Sequence, residues 1–249
     1  MARELLGNAH YSHLQVDGNI VCLAGLEIFN MRNLWSLFSN LCSEKKKQNV
    51  LQKTNSIKRI SREEINKLPL FRYTGKIVMV RSNEELNKAL TELKEETLLG
   101  FDTETRPAFR KHQSFLPSLL QLASREKVYL LRLADMTDFN GLIALLEKES
   151  VIKSGIALDQ DVKKLNEIFT FKAGGFVDLG KIAQMHKYQQ TGLRNLCAML
   201  LGFRLSKGSQ VTDWSKPELS SAQIHYAATD AWVSRELYVH MSESSDWDV

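Results

Sequence analysis

Four carboxylates stand in three separated stretches of this chain, and the last stretch also carries a tyrosine. Asp102 and Glu104 belong to Phe101-Asp-Thr-Glu-Thr105, Asp161 to Gly155-Ile-Ala-Leu-Asp-Gln-Asp161, and Tyr226 and Asp230 to Tyr226-Ala-Ala-Thr-Asp-Ala231. Acids gathered from distant segments repel one another unless positive charge lies between them. All-oxygen donor sets suit hard cations such as Mg²⁺ or Mn²⁺. A pair of such ions about 3.5–4 Å apart is the usual equipment for in-line displacement at a phosphodiester. The pattern therefore points to phosphodiester hydrolysis at the end of a nucleic acid.

Each piece has a plainer reading when taken alone. Asp102 and Glu104 close the apolar run Leu98–Phe101, which predicts a strand. Strand side chains alternate faces, so residues two apart point the same way, about 6.5 Å apart along the chain. Both carboxylates then reach one cation, although Asp-Thr-Glu-Thr would also serve as a polar strand end. It is the only Asp-x-Glu in the chain. Tyr226 and Asp230 lie four apart in a predicted helix that opens with Ser220-Ser-Ala-Gln223, a capping-box pattern. That spacing puts them on one face a turn apart, as it would a core tyrosine and a solvated aspartate. Asp161 opens a helix with an apolar stripe at Leu158, Val162, Leu165, Ile168 and Phe169. There it could simply favour the helix dipole, and Asp159 competes for the role. Asp161 is preferred because Leu165 and Phe169 follow on its own face.

Strands are predicted at Ile77–Val80, Thr97–Thr103 and Val151–Ser154, with a hairpin of Ser118–Ala123 and Val128–Leu131 around Ser124-Arg-Glu-Lys127. Helices are predicted at Asn83–Glu95, Asp138–Lys148, Asp159–Phe169, Leu179–Lys187, Thr191–Leu201 (stopped by Gly202) and Ser220–His240. A shorter helix within residues 56–70 ends before Pro69. Early meander strands followed by alternating strands and helices give an α/β architecture, a mixed sheet flanked by helices.

The 249 residues leave room for one sizeable domain, residues 56–245, and an N-terminal extension, residues 1–55. In the extension Met31–Cys42 has near-helical apolar spacing and precedes Lys45-Lys-Lys47. It reads as a basic amphipathic stretch for a membrane surface or a partner, as a poorly ordered leader, or as the product of a start placed too early, with Met31 an internal candidate. The net charge of +4 does not identify a nucleic-acid binder. Residues 1–60 hold 8 Lys+Arg against 4 Asp+Glu, and residues 61–249 hold 25 of each. No apolar run reaches the roughly 18 residues of a membrane span, and the first residues do not resemble a signal peptide. Cys22, Cys42 and Cys197 are widely spaced and odd in number, which favours a reducing cytoplasm. His10 and His13 read as surface residues.

Together the pieces are far more specific. Phe-Asp-x-Glu, then Gly-x5-Asp-x3-Leu about 60 residues on, then Tyr-x3-Asp about 70 further, resembles the DEDD superfamily of 3′–5′ exonucleases. The tyrosine places the likeness with the subgroup of ribonuclease D, the Werner syndrome helicase exonuclease domain and stand-alone bacterial exonucleases. Ser118-Leu-Leu-Gln-Leu-Ala123, Gly192-Leu-Arg-Asn-Leu196 and Asp213-Trp-Ser215 are similar to it as well, and the likeness covers residues 58–242. It implies a ribonuclease H-like fold, two divalent cations (Mg²⁺ or Mn²⁺), and a DNA or RNA substrate with a free 3′ end, in DNA repair or RNA processing. It implies that Asp102, Glu104 and Asp230 hold one ion, that Asp102 and Asp161 serve the second, and that Tyr226 orients the attacking water. Nucleoside 5′-monophosphates would be released. Arg106, Arg110, Lys111 and Lys207 are candidates for phosphate contact. Phe109 and Phe115 would either stack on a base or pack internally. One residue of helix turns His225 about 100° from Tyr226, so it reads as incidental. No helicase, polymerase or further helical binding segment is expected beyond residue 242. Competing readings are a catalytically silent binding module of the same fold and an oligonucleotide-degrading phosphoesterase.

Overall fold

The computed structural model describes residues 13–16, 19–22, 58–108, 110, 113–244 and 247. The chain divides into two units, Met1–Asn55 and Ser56–Val249. In the first unit, β1 (His13–Val16) and β2 (Asn19–Cys22) pair antiparallel, with His13 opposite Cys22. His10, the 31–42 stretch, Cys42 and Lys45–Lys47 lie outside the described residues.

The second unit is built on a mixed six-stranded sheet. Its strands are β4 (Lys76–Val80), β5 (Leu98–Thr105), β6 (Pro117–Ala123), β7 (Lys127–Arg132), β8 (Ile152–Gly155) and β9 (Phe176–Asp178), in the order β4-β7-β6-β5-β8-β9. The hairpin β6–β7 and the pair β5–β6 are antiparallel; the remaining pairs are parallel. The expected early meander is the run β5, β6 and β7, and β4 joins the far side of the hairpin, parallel to β7. The short strands β3 (Leu70–Phe71) and β10 (Arg204–Leu205) pair separately. The helices are α1 (Arg62–Lys67), α2 (Asn83–Leu93), α3 (Asn140–Glu147), α4 (Leu158–Asn166), α5 (Leu179–Met185), α6 (Leu193–Leu196) and α7 (Ser221–Ser242).

Strand alternation sorts the two faces. Leu99 and Phe101 of β5 enter a core with Leu120, Leu122, Leu131, Leu90 and Leu93 of α2, Leu142 and Leu146 of α3, and Leu158 and Leu165 of α4. The other face of β5 carries Gly100, Asp102 and Glu104, and α7 lies across it. Gly100 makes that approach possible, since a Cβ there would fall 1.9 Å from the Ala231 carbonyl oxygen and 2.8 Å from the Arg235 nitrogen. Ser154 adds a second tie, its hydroxyl donating to Leu99 O at 3.3 Å or to Ser234 O at 3.1 Å. Farther along, α7 packs Val233, Leu237 and Met241 against Leu179, Leu196 and Leu205.

Candidate active site

Strand β5 runs on through Thr105 because β6 keeps pairing with it: Asp102 stands opposite Gln121 and Glu104 opposite Leu119. Both carboxylates therefore stay on the α7 face of a sheet end. Helix α7 starts from the predicted capping box, Ser220 with Gln223. The Gln223 amide reaches back to Thr212 Oγ1 at 3.1 Å and to Asp213 O at 3.2 Å, fixing the loop that feeds the helix. Asp230 is then delivered by the close pass of α7 over Gly100. The result is a group of three acids, Asp102, Glu104 and Asp230, each offering a carboxylate oxygen within 4.8 Å of the others.

These acids are poorly solvated and mutually repulsive. Glu104 and Asp230 are 9% and 8% exposed. Burial raises Asp102 well above the carboxylate range, and the charges of Asp230 and Asp161 push it further. Burial, with Asp102 and Asp230, pushes Glu104 up to about 10. Asp230 is pushed up to about 7 by burial, against the pull of the Tyr226 phenol and the Arg194 cation. Among the described residues no Lys or Arg forms an ion pair with any of the three. Compact, desolvated oxygen donors without a protein counter-ion fit a hard divalent cation.

Asp161 is not part of that group of three. It comes from the first turn of α4, on the opposite face of the sheet, and its Oδ1 accepts a hydrogen bond from the Thr103 hydroxyl. Thr103 sits between Asp102 and Glu104, and its backbone N–H also donates to Asp102 Oδ1 at 2.9 Å. The fourth acid is therefore tied to the strand that carries the first two. Tyr226 lies beside Asp230, its ring 6.1 Å from that of buried Trp214. Burial and the Asp230 and Glu104 charges raise the phenol far above its ordinary pKa. A crevice of about 340 Å³ is lined by Tyr226 and Asp230 together with Phe71, Leu205 and Thr229. His225 lines it too, with its Nδ1 2.8 Å from the Ser221 carbonyl oxygen.

The basic candidates occupy the two loops that flank the acids. Arg106, after β5, is half exposed; its Nε lies 3.9 Å from Asp213 Oδ1, and its guanidinium carbon is 5.1 Å from the Phe115 ring centre. Phe115 is thus covered by Arg106. Arg110 and Lys207 are exposed. Lys111 and Phe109 lie outside the described residues. Sequence reasoning gave no role to Thr103, Arg194 or Gln121, although each sits in a segment singled out for its pattern. Arg194 donates from Nε to Leu205 O at 3.2 Å and acts electrostatically on Asp230. Its signal was a cation inside the otherwise neutral run Gly192–Leu196.

A family model described as "3′-5′ exonuclease" matches residues 77–245. The chain is 30% identical over 189 residues to the bifunctional 3′-5′ exonuclease/ATP-dependent helicase WRN of Mus musculus, covering 72% of this chain and 14% of that protein. It is 31% identical over 165 residues to ribonuclease D of Gluconacetobacter diazotrophicus, covering 65% of this chain and 41% of the relative. The matched region spans less than half the length of either relative. Among solved structures, Trypanosoma brucei RNase D in complex with RNA U12 superposes with a TM-score of 0.62 at 20% identity, over 75% of this chain and 67% of that one. The fold is therefore the ribonuclease H-like one that the resemblance implied.

Proposed function

This chain belongs to the 3′–5′ exonuclease family, and we propose on that premise that it removes nucleotides from the 3′ end of a DNA or RNA strand. Residues 56–245 act as the nuclease domain and residues 1–55 as its extension. The single observation that carries the reading is the convergence of Asp102, Glu104 and Asp230 to within 4.8 Å of one another, with Glu104 and Asp230 buried and, among the described residues, no Lys or Arg in an ion pair with any of the three. Asp102, Glu104 and Asp230 would hold one divalent cation, and Asp102 with Asp161 a second, with Mg²⁺ and Mn²⁺ suiting the all-oxygen set. When bound, such ions supply acidified water and charge stabilisation at the attacking and leaving oxygens.

Tyr226 keeps its proton at neutral pH, because burial and the surrounding acids raise it. Its hydroxyl serves to orient the attacking water. The water oxygen bonds to phosphorus, the bond from phosphorus to the 3′ oxygen breaks, and that oxygen leaves with a proton. A nucleoside 5′-monophosphate departs. Arg106, Arg110 and Lys207, with Lys111 next to Arg110 in sequence, meet the strand's phosphates from the two flanking loops.

The test is digestion of matched 5′-labelled DNA and RNA, single-stranded and with recessed 3′ ends, in Mg²⁺ and in Mn²⁺. A ladder shortening from the 3′ end is expected, abolished by chelation and by Asp102→Asn or Asp230→Asn. A ladder that survives in either variant overturns the assignment. Binding without shortening would indicate a silent module, and cleavage confined to the shortest strands an oligonucleotide-degrading enzyme.

A further inference from the structure

Helix α4, which carries Asp161, enters without a cap of its own. Its N-cap is Ala157, which has no side-chain acceptor and sits at φ 58°, ψ 38°, in the left-handed region that residues with a Cβ seldom occupy. The amide that follows, Leu158 N–H, nonetheless has an acceptor: Asp178 Oδ2 at 3.3 Å, from the end of β9. The other oxygen of that carboxylate, Oδ1, accepts from Gly180 N at 2.9 Å and from Lys181 N at 3.2 Å, capping α5. Asp178 also pairs across the sheet with Gly155, the last residue of β8. One residue therefore stands at the exit of β8 through its backbone register and ties the entry of α4 to the start of α5 through its side chain.

Asp161 follows Leu158 by less than one helical turn. Its carboxylate is held at the other side by the Thr103 hydroxyl. The first turn of α4 is thus clamped between Asp178 and β5, and a rotation of that turn swings Asp161 away from Thr103. Left-handed backbone at a residue other than glycine persists only where the surroundings enforce it. Asp178 accepts from the amide that follows Ala157.

We propose that Asp178 is a positioning residue for the exonuclease reaction: it caps α4 from a neighbouring strand and thereby fixes Asp161 relative to Asp102. The inference rests on the reading of Asp161 as a metal-holding acid. An ordinary cap of α5 would need only Oδ1, and this separates the two roles. Asp178→Asn keeps one oxygen, which two α5 amides orient, and Asn caps a helix as well as Asp. It replaces Oδ2 with an NH₂ group, which cannot accept from Leu158.

The experiment compares wild type, Asp178→Asn, Asp161→Asn and the double variant. Mn²⁺ binding is followed by calorimetry, and kcat and KM are measured on a labelled strand. Asp178→Asn is expected to melt near wild type, to keep KM, and to lose about 10- to 100-fold in kcat or Mn²⁺ affinity, as for other residues that orient metal ligands. In the Asp161→Asn background it is expected to add nothing further. Asp178→Ser, also a good helix cap, repeats the comparison should Asp178→Asn melt early. Wild-type kcat and Mn²⁺ binding in Asp178→Asn would overturn the inference while leaving the family function standing. So would losses that multiply in the double variant, since they would show action independent of Asp161. If Asp161→Asn itself behaves as wild type, the role of Asp161 falls first and the inference with it.

Discussion

Tyr226 stands among acids, and that neighbourhood decides what its hydroxyl does. Burial together with the Asp230 and Glu104 charges keeps the phenol protonated far beyond neutral pH, which fits the proposed role of holding a water oxygen and not that of a base. Tyr226→Phe leaves the ring against Trp214 and removes only the hydroxyl. The expected outcome is a fall in kcat on the order of 10²-fold, the scale of a misoriented reactant, with KM and Mn²⁺ binding close to wild type. Loss of Mn²⁺ binding as well would mean that the tyrosine holds the carboxylates and not the water. Gln121 presents the opposite situation. It is fully buried directly across the strand pair from Asp102, and among the described residues neither of its carboxamide atoms has a hydrogen-bond partner. Leaving such a group unpaired costs about 1–3 kcal/mol. Gln121→Leu, of similar volume, is therefore expected to raise the unfolding free energy measured by denaturant titration by about 1–3 kcal/mol, and a lowered value would show that the amide is paired in solution.

At the scale of elements, the strand and the helix that build the site are each legible in the sequence, and their contact is not. The pattern Leu98–Phe101 announces β5, and Ser220 with Gln223 announces α7. Nothing local says that they pass so closely that Gly100 alone fits beneath Ala231 and Arg235. Gly100→Ala is expected to destabilise the protein by at least about 1–3 kcal/mol through overpacking, and to cost more activity than stability, because the displaced helix carries Asp230. Thermal melts beside rate measurements decide this, and a stable variant with unchanged rate would refute it. The same limit applies elsewhere. The apolar run predicts a strand that ends at Thr103, yet pairing with Leu119 carries it past Glu104. The stretch 191–201 reads as one helix, but it is α6 followed by a wider turn at Cys197–Leu201, closed by Gly202 N–H to Cys197 O at 3.1 Å. Apolar spacing does not separate the two. Lys153 was part of a predicted buried strand despite its charge; it is fully buried because its ammonium donates to Lys148 O at 2.9 Å and Leu145 O at 3.3 Å at the end of α3.

For the whole molecule, the acid group sets a linkage between metal, pH and folding. Carboxylates titrate near pH 4 in an unfolded chain, roughly their reference value, whereas folding pushes Asp230 up to about 7 and Glu104 up to about 10 and raises Asp102 well above its usual range. A raised folded pKa means that the native state binds more protons than the unfolded state above about pH 4, so stability falls as pH rises. The loss is to run from the acid side through the Asp230 transition and continue as Glu104 ionises. A divalent cation held by the three acids, as proposed, would remove their mutual repulsion and so counter the loss. Metal at a hundredfold excess over its dissociation constant adds about 2.7 kcal/mol, or about 5–11 °C in Tm for a domain of this size. In chelator, Tm is therefore expected to be higher near pH 5 than near pH 8. Saturating Mn²⁺ is expected to raise it more at pH 8 than at pH 5, where protons compete for the same oxygens. Asp230→Asn should flatten the pH dependence measured in chelator and shrink the Mn²⁺ shift together, because both arise from one cluster of charge. An equal metal shift at the two pH values, or a slope in chelator untouched by Asp230→Asn, would mean that these three acids do not govern the coupling.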